Sequence, residues 1–580
     1  MLDVLLVKPP RNADMATHGS LPMSLACLAG TLRRRFGVGV LDLQFYRYEE
    51  LPDGGLEWDR PLSDEIRTKK PRVIGITCLF SGDIEKILAM AERCKAIHPG
   101  CAVVVGGVHP TIYGREILEN CPHIDFVVKG EGDETVVELV SQIMRGEAAD
   151  FSVIDGLVWR TADGTVREQA KTRYIEDLDQ LPRPAYDLFP IDSYTAVGTL
   201  PNPKNHVIRM NFPFITSRSC GRSCNFCSLH NAMGYKARMR SPGKVLDDLE
   251  YLYHTYGLNY FDIEDDNFAA SKRRVIEICD GIRRRNLDIQ FRLRNGVYIP
   301  SIDGEVAAAL ADAGLVMAYL AIESGSEFIR NRVIGKNVPT EKIVRAAEAL
   351  ARHPQVTLGA FFIVGMPEET TGTIHDTVAL IESLPLDLFV FMPATPYPGT
   401  RLYEQCVRDG LFIEPGGLSG LWRRPCRIEQ TISTRNPIMI RPYNMTLEEL
   451  DGHCRRLADM GSAVMFRSQE RRNGARMRAL QTRLREIAGA EPLLVFGAGI
   501  YGRLGRRIAE AAGIAIGGVL DNNRDLWGSE VEGVRVMSPA EAPPGPVFIC
   551  VLNRLDAERI DAGLAGSGAG GRVLLGDYLQ

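Results

Sequence analysis

No run of the 580 residues reaches the about 18 consecutive apolar positions needed to span a bilayer. The longest candidate, Val356 to Met366, is short and broken by Thr357, Gly359 and Gly365. The N-terminus, MLDVLLVKPP, has no basic leader and reads as a strand, so no signal peptide is expected. Charge of one sign is also scarce. A net charge of −5 offers no electrostatic footprint for nucleic acid or an anionic membrane. A paired cysteine framework is missing too: the 13 cysteines are odd in number, and a cytoplasmic chain is not expected to be a disulfide scaffold. What is present is ordinary for a soluble globular protein, with 45% apolar and 24% charged residues. At about 150 residues per domain, the length suggests roughly four units rather than one core.

Most cysteines are scattered singly, as at Cys27, Cys78 and Cys279. Cys220, Cys224 and Cys227 are not; they form a C-x3-C-x2-C spacing in SCGRSCNFCSL. Short loops of thiolates hold iron–sulfur clusters, because several soft sulfurs must converge on one small inorganic cube. Zinc would need a fourth ligand nearby, and His230 is the candidate for that alternative. Gly221, Ser223, Asn225 and Ser228 make the segment a polar loop, which argues against three merely structural core cysteines. Three ligands for a four-iron cluster leave one iron open, as reactive rather than electron-carrying clusters require.

Downstream, short apolar runs alternate with helical patterns, as a parallel α/β sheet demands. The expected strands are Phe214–Ser217, Tyr260–Glu264, Gln290–Arg294, Ala318–Glu323, Thr357–Val364 and Leu388–Pro393. Helical patterns fall at Pro242–His254, Lys272–Arg285 and Glu341–His353. The cysteine loop follows the first strand, on the face where such folds put their chemistry. Polar residues follow other strands: Asp265 and Asp266, then Glu323 and Ser324, then Gly365, Pro367 and Glu369. Each alone could be a cap or a turn residue.

Residues 1 to about 140 pattern as a doubly wound domain, with strands at Val4–Val7, Gly39–Leu43, Val73–Thr77, Ala102–Gly106 and Phe126–Lys129. Helices are expected at Met23–Phe36, Asp83–His98 and Glu134–Arg145. Two strand-end loops are candidates for a ligand: VVVGGVHPT, with Gly106, Gly107, His109 and Thr111, and KGEGDET, with Gly130 and Glu131. Paired glycines let a ligand approach the backbone closely.

Beyond about Gln430 the character changes. Asn444-Met-Thr-Leu-Glu-Glu opens a helix over Met445–Glu486. Its arginines, Arg467, Arg471, Arg472, Arg476, Arg478, Arg483 and Arg485, are best explained as a solvated face. A strand at Leu493–Phe496 then runs into Gly497, Gly499 and Gly502, a helix, and a strand ending at Asp521, the context of a dinucleotide fold. Only about half of a full dinucleotide fold follows.

Taken in order, the cysteine loop, Phe226, the polar strand ends, KARMRSP and TPYPGTRLYE resemble the radical S-adenosylmethionine (radical SAM) enzymes. The N-terminal loops and the connector DLDQLPRPAYDL resemble the cobalamin-binding branch of that superfamily, so the likeness spans nearly all of residues 1–430. The resemblance implies an α/β architecture: a doubly wound cobalamin-binding-like domain (1–150), a connector (151–204) and a partial (β/α)6 radical SAM barrel (205–430). A helical segment (431–490) and a small Rossmann-like domain (491–580) complete it. It implies a 4Fe-4S cluster on Cys220, Cys224 and Cys227, with S-adenosylmethionine on its open iron. Phe226 would lie near the adenine, Glu323 and Ser324 near the ribose or amino group, and Gly365, Pro367 and Glu369 beside the adenine. Gly106, Gly107, His109, Thr111, Gly130 and Glu131 would border cobalamin. The D-x-H-x-x-G motif with its cobalt-ligating histidine is absent, and His109 does not replace it.

The implied reaction is methylation of an unactivated carbon through a 5′-deoxyadenosyl radical. The substrate would be a small or lipid-like molecule, and the electron donor a flavodoxin or ferredoxin. Residues 415–442 are expected to contribute to the substrate pocket. A radical SAM enzyme without cobalamin, performing dehydrogenation, cyclisation or carbon–carbon coupling, stays open as an alternative. So does a non-catalytic metal-binding scaffold or sensor.

Overall fold

The structure is a computed structural model describing residues 2–12, 20–48, 56–79, 81–194, 200–413, 438–531, 533–551, 554–564 and 571–579. Most of the segment 415–442 lies outside the described residues. The chain forms two compact units, one of residues 1–195, 208–289 and 396–429, the other of 196–207, 290–395 and 430–580. The division falls inside the expected barrel, between Ile289 and Gln290.

The first unit opens with strands β1 (Val4–Lys8), β2 (Val38–Asp42), β3 (Val73–Thr77), β4 (Ala102–Gly106) and β5 (Phe126–Val128), in the order β2-β1-β3-β4-β5. All pair in parallel, and their Val/Ile/Leu-rich sequences suit a sheet covered on both faces. The order reverses between β1 and β3, which is where such sheets open a crevice at their carboxyl ends. Two antiparallel strands, β6 (Leu157–Arg160) and β7 (Val166–Glu168), extend the edge beside β5. They lie in the stretch expected as a connector. Helix α1 (Met23–Leu32) is shorter than expected, and α2 (Ile84–Ile97) and α4 (Asp133–Arg145) fall close to expectation. Between them lies α3 (Val108–Asn120), which the sequence reading missed. Pro110 and Gly114 hide its helical period, and Val108, His109 and Thr111 sit in its first turn rather than in a loop.

The same unit continues with β8 (Phe212–Phe214) paired in parallel with β11 (Tyr260–Ile263). Between them, β9 (Ser217–Arg218) and β10 (Arg238–Met239) form a two-residue antiparallel ladder around the cysteine loop. The expected strand Phe214–Ser217 is thus two short strands, because the chain turns at Ile215 and Thr216 to enter the loop.

In the second unit, β12 (Gln290–Val297), β13 (Leu315–Glu323), β14 (Thr357–Val364) and β15 (Leu388–Pro393) pair in parallel in sequence. Helices Gly304–Asp312, Thr340–Ala351 and Thr371–Ser383 connect them. A 42-residue helix, α5 (Leu447–Ala488), starts at a capping box between Thr446 and Glu449 and is kinked at Asn473. It packs along β15. Asp387, just before β15, accepts from Ser468 Oγ (2.7 Å), Arg471 Nη2 (2.7 Å) and Arg472 Nη2 (2.5 Å). Arg485 donates to the Ala512 carbonyl at 2.9 Å. The expected solvated arginine face is corrected at Arg472, which is largely withdrawn from solvent, while Arg471 and Arg485 stay exposed as they make these bonds.

A second parallel sheet closes this unit. Its core strands Leu493–Phe496, Ile516–Leu520, Val534–Met537, Val547–Ile549 and Arg572–Leu574 take the order 3-2-1-4-5, as in a Rossmann-like half. Gly502 has a packing reason: a Cβ there would lie 1.6 Å from the Gly497 carbonyl oxygen. Asp521 Oδ2 accepts the Ala498 amide (2.7 Å) and Oδ1 the Asn523 amide (2.8 Å), so its carboxylate braces the glycine loop.

Candidate active site

The cysteine loop hangs from a rigid root. After β8 the chain meets the β11 end, where Asp265 accepts from the Thr216 amide (2.5 Å), Thr216 Oγ1 (2.5 Å) and Ser217 Oγ (2.7 Å). Asp266 accepts the Ser219 amide at 3.0 Å, and Asn267 Nδ2 donates to the Cys220 carbonyl at 3.4 Å. These contacts hold Ser219 at φ +65°, a left-handed conformation costing roughly 1–2 kcal/mol in a non-glycine residue. Burial pushes Asp265 up, and Asp266 up to about 6. Farther along the loop, Arg401 donates to the Ser223 carbonyl, and the Leu402 amide donates to the Asn225 carbonyl at 3.0 Å. The TPYPGTRLYE segment therefore braces the loop from its other side.

Cys220, Cys224 and Cys227 are all partly exposed and outside disulfides. Two buried amide oxygens beside them, Asn225 Oδ1 and Asn267 Oδ1, have no hydrogen-bond partner. Three soft donors on a braced, part-exposed loop with unpartnered polar atoms fit an inorganic cluster. Among the described residues, no three His, Cys, Asp or Glu side chains are placed to hold one ion. His230 is instead stacked on Tyr235, with ring centroids 4.3 Å apart. Phe226 lies on the same loop and is partly exposed.

The strand-end loops of the doubly wound part turn out to be tied to each other. Thr111 Oγ1 donates to the Gly107 carbonyl (2.7 Å) and accepts the Gly130 amide (2.8 Å). Gly107 has φ +122°, and a Cβ there would lie 2.3 Å from the Cys78 carbonyl oxygen, so the close approach it permits is to β3's own end. His109 is buried with Nδ1 2.9 Å from Ser81 Oγ. Gly106 ends β4, and Ser81 lies just beyond the end of β3. Glu131 is placed differently from the expected cofactor contact. Its carboxylate accepts from Arg218, from Arg238 (2.7 and 3.0 Å) and from the Ile175 amide (2.8 Å). These bonds use its acceptor capacity on the chain itself.

In the second unit, Glu323 ends β13 at φ +70° and pairs with Lys336 Nζ at 2.5 Å. Ser324 is fully buried, and Thr377 Oγ1 accepts the Gly325 amide at 2.9 Å. Arg330, also fully buried, donates to the Ser324 carbonyl (2.6 Å) and the Val338 carbonyl (2.7 Å). One guanidinium therefore fixes both ends of the Glu323–Lys336 segment. Next to β13, the β14 strand ends in the Gly365–Glu369 turn. Glu369 Oε2 accepts the Gly365 (2.5 Å) and Met366 (3.2 Å) amides, while buried Oε1 has no partner. Burial pushes Glu369 up to about 7. The Pro367 carbonyl accepts the Tyr443 amide at 2.8 Å.

Comparison with known proteins gives this arrangement a family. A family model described as the B12 binding domain matches residues 18–140, and the radical SAM superfamily model matches 214–381. The uncharacterized methyltransferase PH0819 of Pyrococcus horikoshii is 31% identical over 446 residues, covering 75% of this chain and 89% of that protein. The chain is a cobalamin-binding radical SAM enzyme. A more partial relative is the anaerobic magnesium-protoporphyrin IX monomethyl ester cyclase of Rubrivivax gelatinosus, 27% identical over 59% of this chain and 60% of that one. The solved structure of the radical SAM methyltransferase TsrM from Kitasatospora setae, with cobalamin and a 4Fe-4S cluster bound, shares the fold. Its TM-score is 0.57 at 19% identity, over 78% of this chain and 84% of that one. The cofactors of the radical SAM family are a 4Fe-4S cluster and S-adenosylmethionine, with cobalamin in this branch. What sequence reasoning missed in this radical SAM chain is Lys336, Arg330 and the Arg218–Glu131–Arg238 cluster. Only the positions of KARMRSP hinted at the last.

Proposed function

We propose that the protein methylates an unactivated carbon of a small-molecule or lipid-like substrate. The observation that carries this is the cysteine loop: three part-exposed thiols on a backbone fixed by Asp265, Asp266 and Asn267. When bound, the cluster supplies the electron for reductive cleavage of S-adenosylmethionine, and cobalamin supplies a carrier for the methyl group. Cys220, Cys224 and Cys227 would hold the cluster, with Phe226 near the adenine; in the second unit, the Gly365–Glu369 turn is a separate candidate for an adenine contact. Lys336 pairs with the Glu323 carboxylate and orients it to accept hydrogen bonds from the ribose or ammonium group. Ser324 and Pro367 shape the same backbone. Gly106, Gly107, His109, Thr111 and Gly130 line the rim for cobalamin. The electron comes from a flavodoxin or ferredoxin. Among the described residues no helix is long and apolar enough to cross a membrane, and we place the reaction in the cytoplasm.

The test is anaerobic reconstitution with iron, sulfide and cobalamin, followed by measurement of S-adenosylhomocysteine and 5′-deoxyadenosine. Both products, formed together with substrate, are expected. The name of the cyclase relative favours a second reading, ring closure without methyl transfer. Deoxyadenosine without S-adenosylhomocysteine would establish that reading instead. A colourless protein containing zinc would establish the scaffold reading.

A further inference from the structure

The cysteine loop leaves and re-enters the fold through a two-residue ladder in which Arg218 and Arg238 are cross-strand partners. Two guanidinium groups directly opposite each other repel, and burial sharpens the cost. Arg238 is buried and Arg218 mostly so, with side-chain exposures of 1% and 13%. The charge that reconciles them comes from a remote part of the chain. Glu131, 2% exposed, accepts from Arg218 and Arg238 at once. Asp133, the first residue of α4, takes a fork from Arg218 Nη1 (2.7 Å) and Nη2 (3.2 Å). Arg238 completes its shell with the Met233 carbonyl (2.9 Å), the Ile175 carbonyl (2.8 Å) and the face of Tyr174. Nothing on β9 or β10 themselves neutralises the pair.

We propose that Glu131 is a positioning residue for the cysteine loop, closing its neck by bridging Arg218 and Arg238. The inference rests on reading the loop as the cluster site. It gives the KGEGDET segment a second task besides bordering cobalamin. The loop that follows β5 and the loop that carries the thiols then hold their positions together, since each supplies half of one buried ionic cluster. Losing the Glu131 charge leaves two facing guanidiniums with Asp133 alone, and the neck opens.

The test compares the full chain with E131Q, with the double variant E131Q/R238Q, and with D387N. The last loosens an ion cluster far along the sequence and controls for general destabilisation. Amide exchange over residues 217–240 is read in the iron-free chain, and iron loss to a chelator in the reconstituted one. E131Q is expected to raise exchange in 217–240, and to speed iron loss, by about tenfold, as for one partner removed from a buried charge cluster. D387N leaves both unchanged. E131Q/R238Q recovers most of the difference, because it also removes one of the two repelling cations. Wild-type exchange in E131Q, or no recovery in the double variant, overturns the proposal. If E131Q does not fold, recovery of a folded chain in the double variant supports the proposal, and unfolding of both overturns it. If the wild-type chain takes up no iron, the cluster reading fails, while the exchange arm still decides the role of Glu131.

Discussion

At the scale of single residues, the proposal puts the chemistry on Cys220, Cys224 and Cys227, and burial sets several of the other described cysteines apart from them. Cys78 and Cys550 are buried, and burial pushes both thiols up, so neither is a ready ligand. Replacing Cys220, Cys224 or Cys227 by alanine is expected to lower S-adenosylmethionine cleavage at least about 100-fold, with loss of bound iron. C279A and C406A should keep both. Iron content and deoxyadenosine yield check this. Glu369 makes a prediction of a different kind. Its pKa is raised from 4.5 to about 7 in the fold, so its favourable contribution is complete below pH 4.5 and is lost as pH rises through about 7. E369Q keeps an acceptor for the Gly365 and Met366 amides but cannot ionise. The variant should therefore gain stability relative to the natural chain between pH 5 and 8, by up to about 3 kcal/mol. Thermal midpoints across that range would show it, and a constant difference would refute it. The cysteine spacing and the strand end at Glu323 were legible because a repeated residue type and an apolar run stand out in a sequence. Lys336 and Arg330 were not, because an ion pair 13 residues apart or a guanidinium caged by carbonyls leaves no pattern in a sequence.

At the scale of elements, period alone located most of the fold. The apolar runs Val73–Thr77, Ala102–Gly106, Thr357–Val364 and Leu388–Pro393 became strands with the expected limits. Failures came where a breaker or a long-range partner decided the outcome. Helix α3 hides behind Pro110 and Gly114. Strands β6 and β7 are held by pairing with β5, a tertiary effect that local sequence does not encode. The arginines of α5 looked solvated because their acceptor, Asp387, lies more than 80 residues earlier. D387A should therefore cost about 3 kcal/mol, since it takes the shared carboxylate from Arg471 and Arg472 and leaves the Leu358 amide without its 2.7 Å acceptor. T446A, which removes the capping box of α5, should cost about 1 kcal/mol. Denaturant titration of the two variants would separate these magnitudes, and a D387A midpoint equal to wild type would contradict the anchoring role of α5.

At the scale of the whole molecule, the order of parts was readable, while the way the chain divides was not. The expected barrel is split between the two compact units, and the C-terminal residues share a unit with β12 to β15. Contacts such as those of Asp387 make α5 part of that unit rather than a tether. The family follows from extended similarity over both cofactor-binding regions. The central claim is narrower: the loop of Cys220, Cys224 and Cys227 holds a four-iron cluster with one iron left for S-adenosylmethionine. Electron paramagnetic resonance of the reduced, reconstituted protein tests it most directly. A reduced-cluster signal that changes on adding S-adenosylmethionine and is lost in C220A is expected. A signal indifferent to S-adenosylmethionine, or one that survives in C220A, would contradict it.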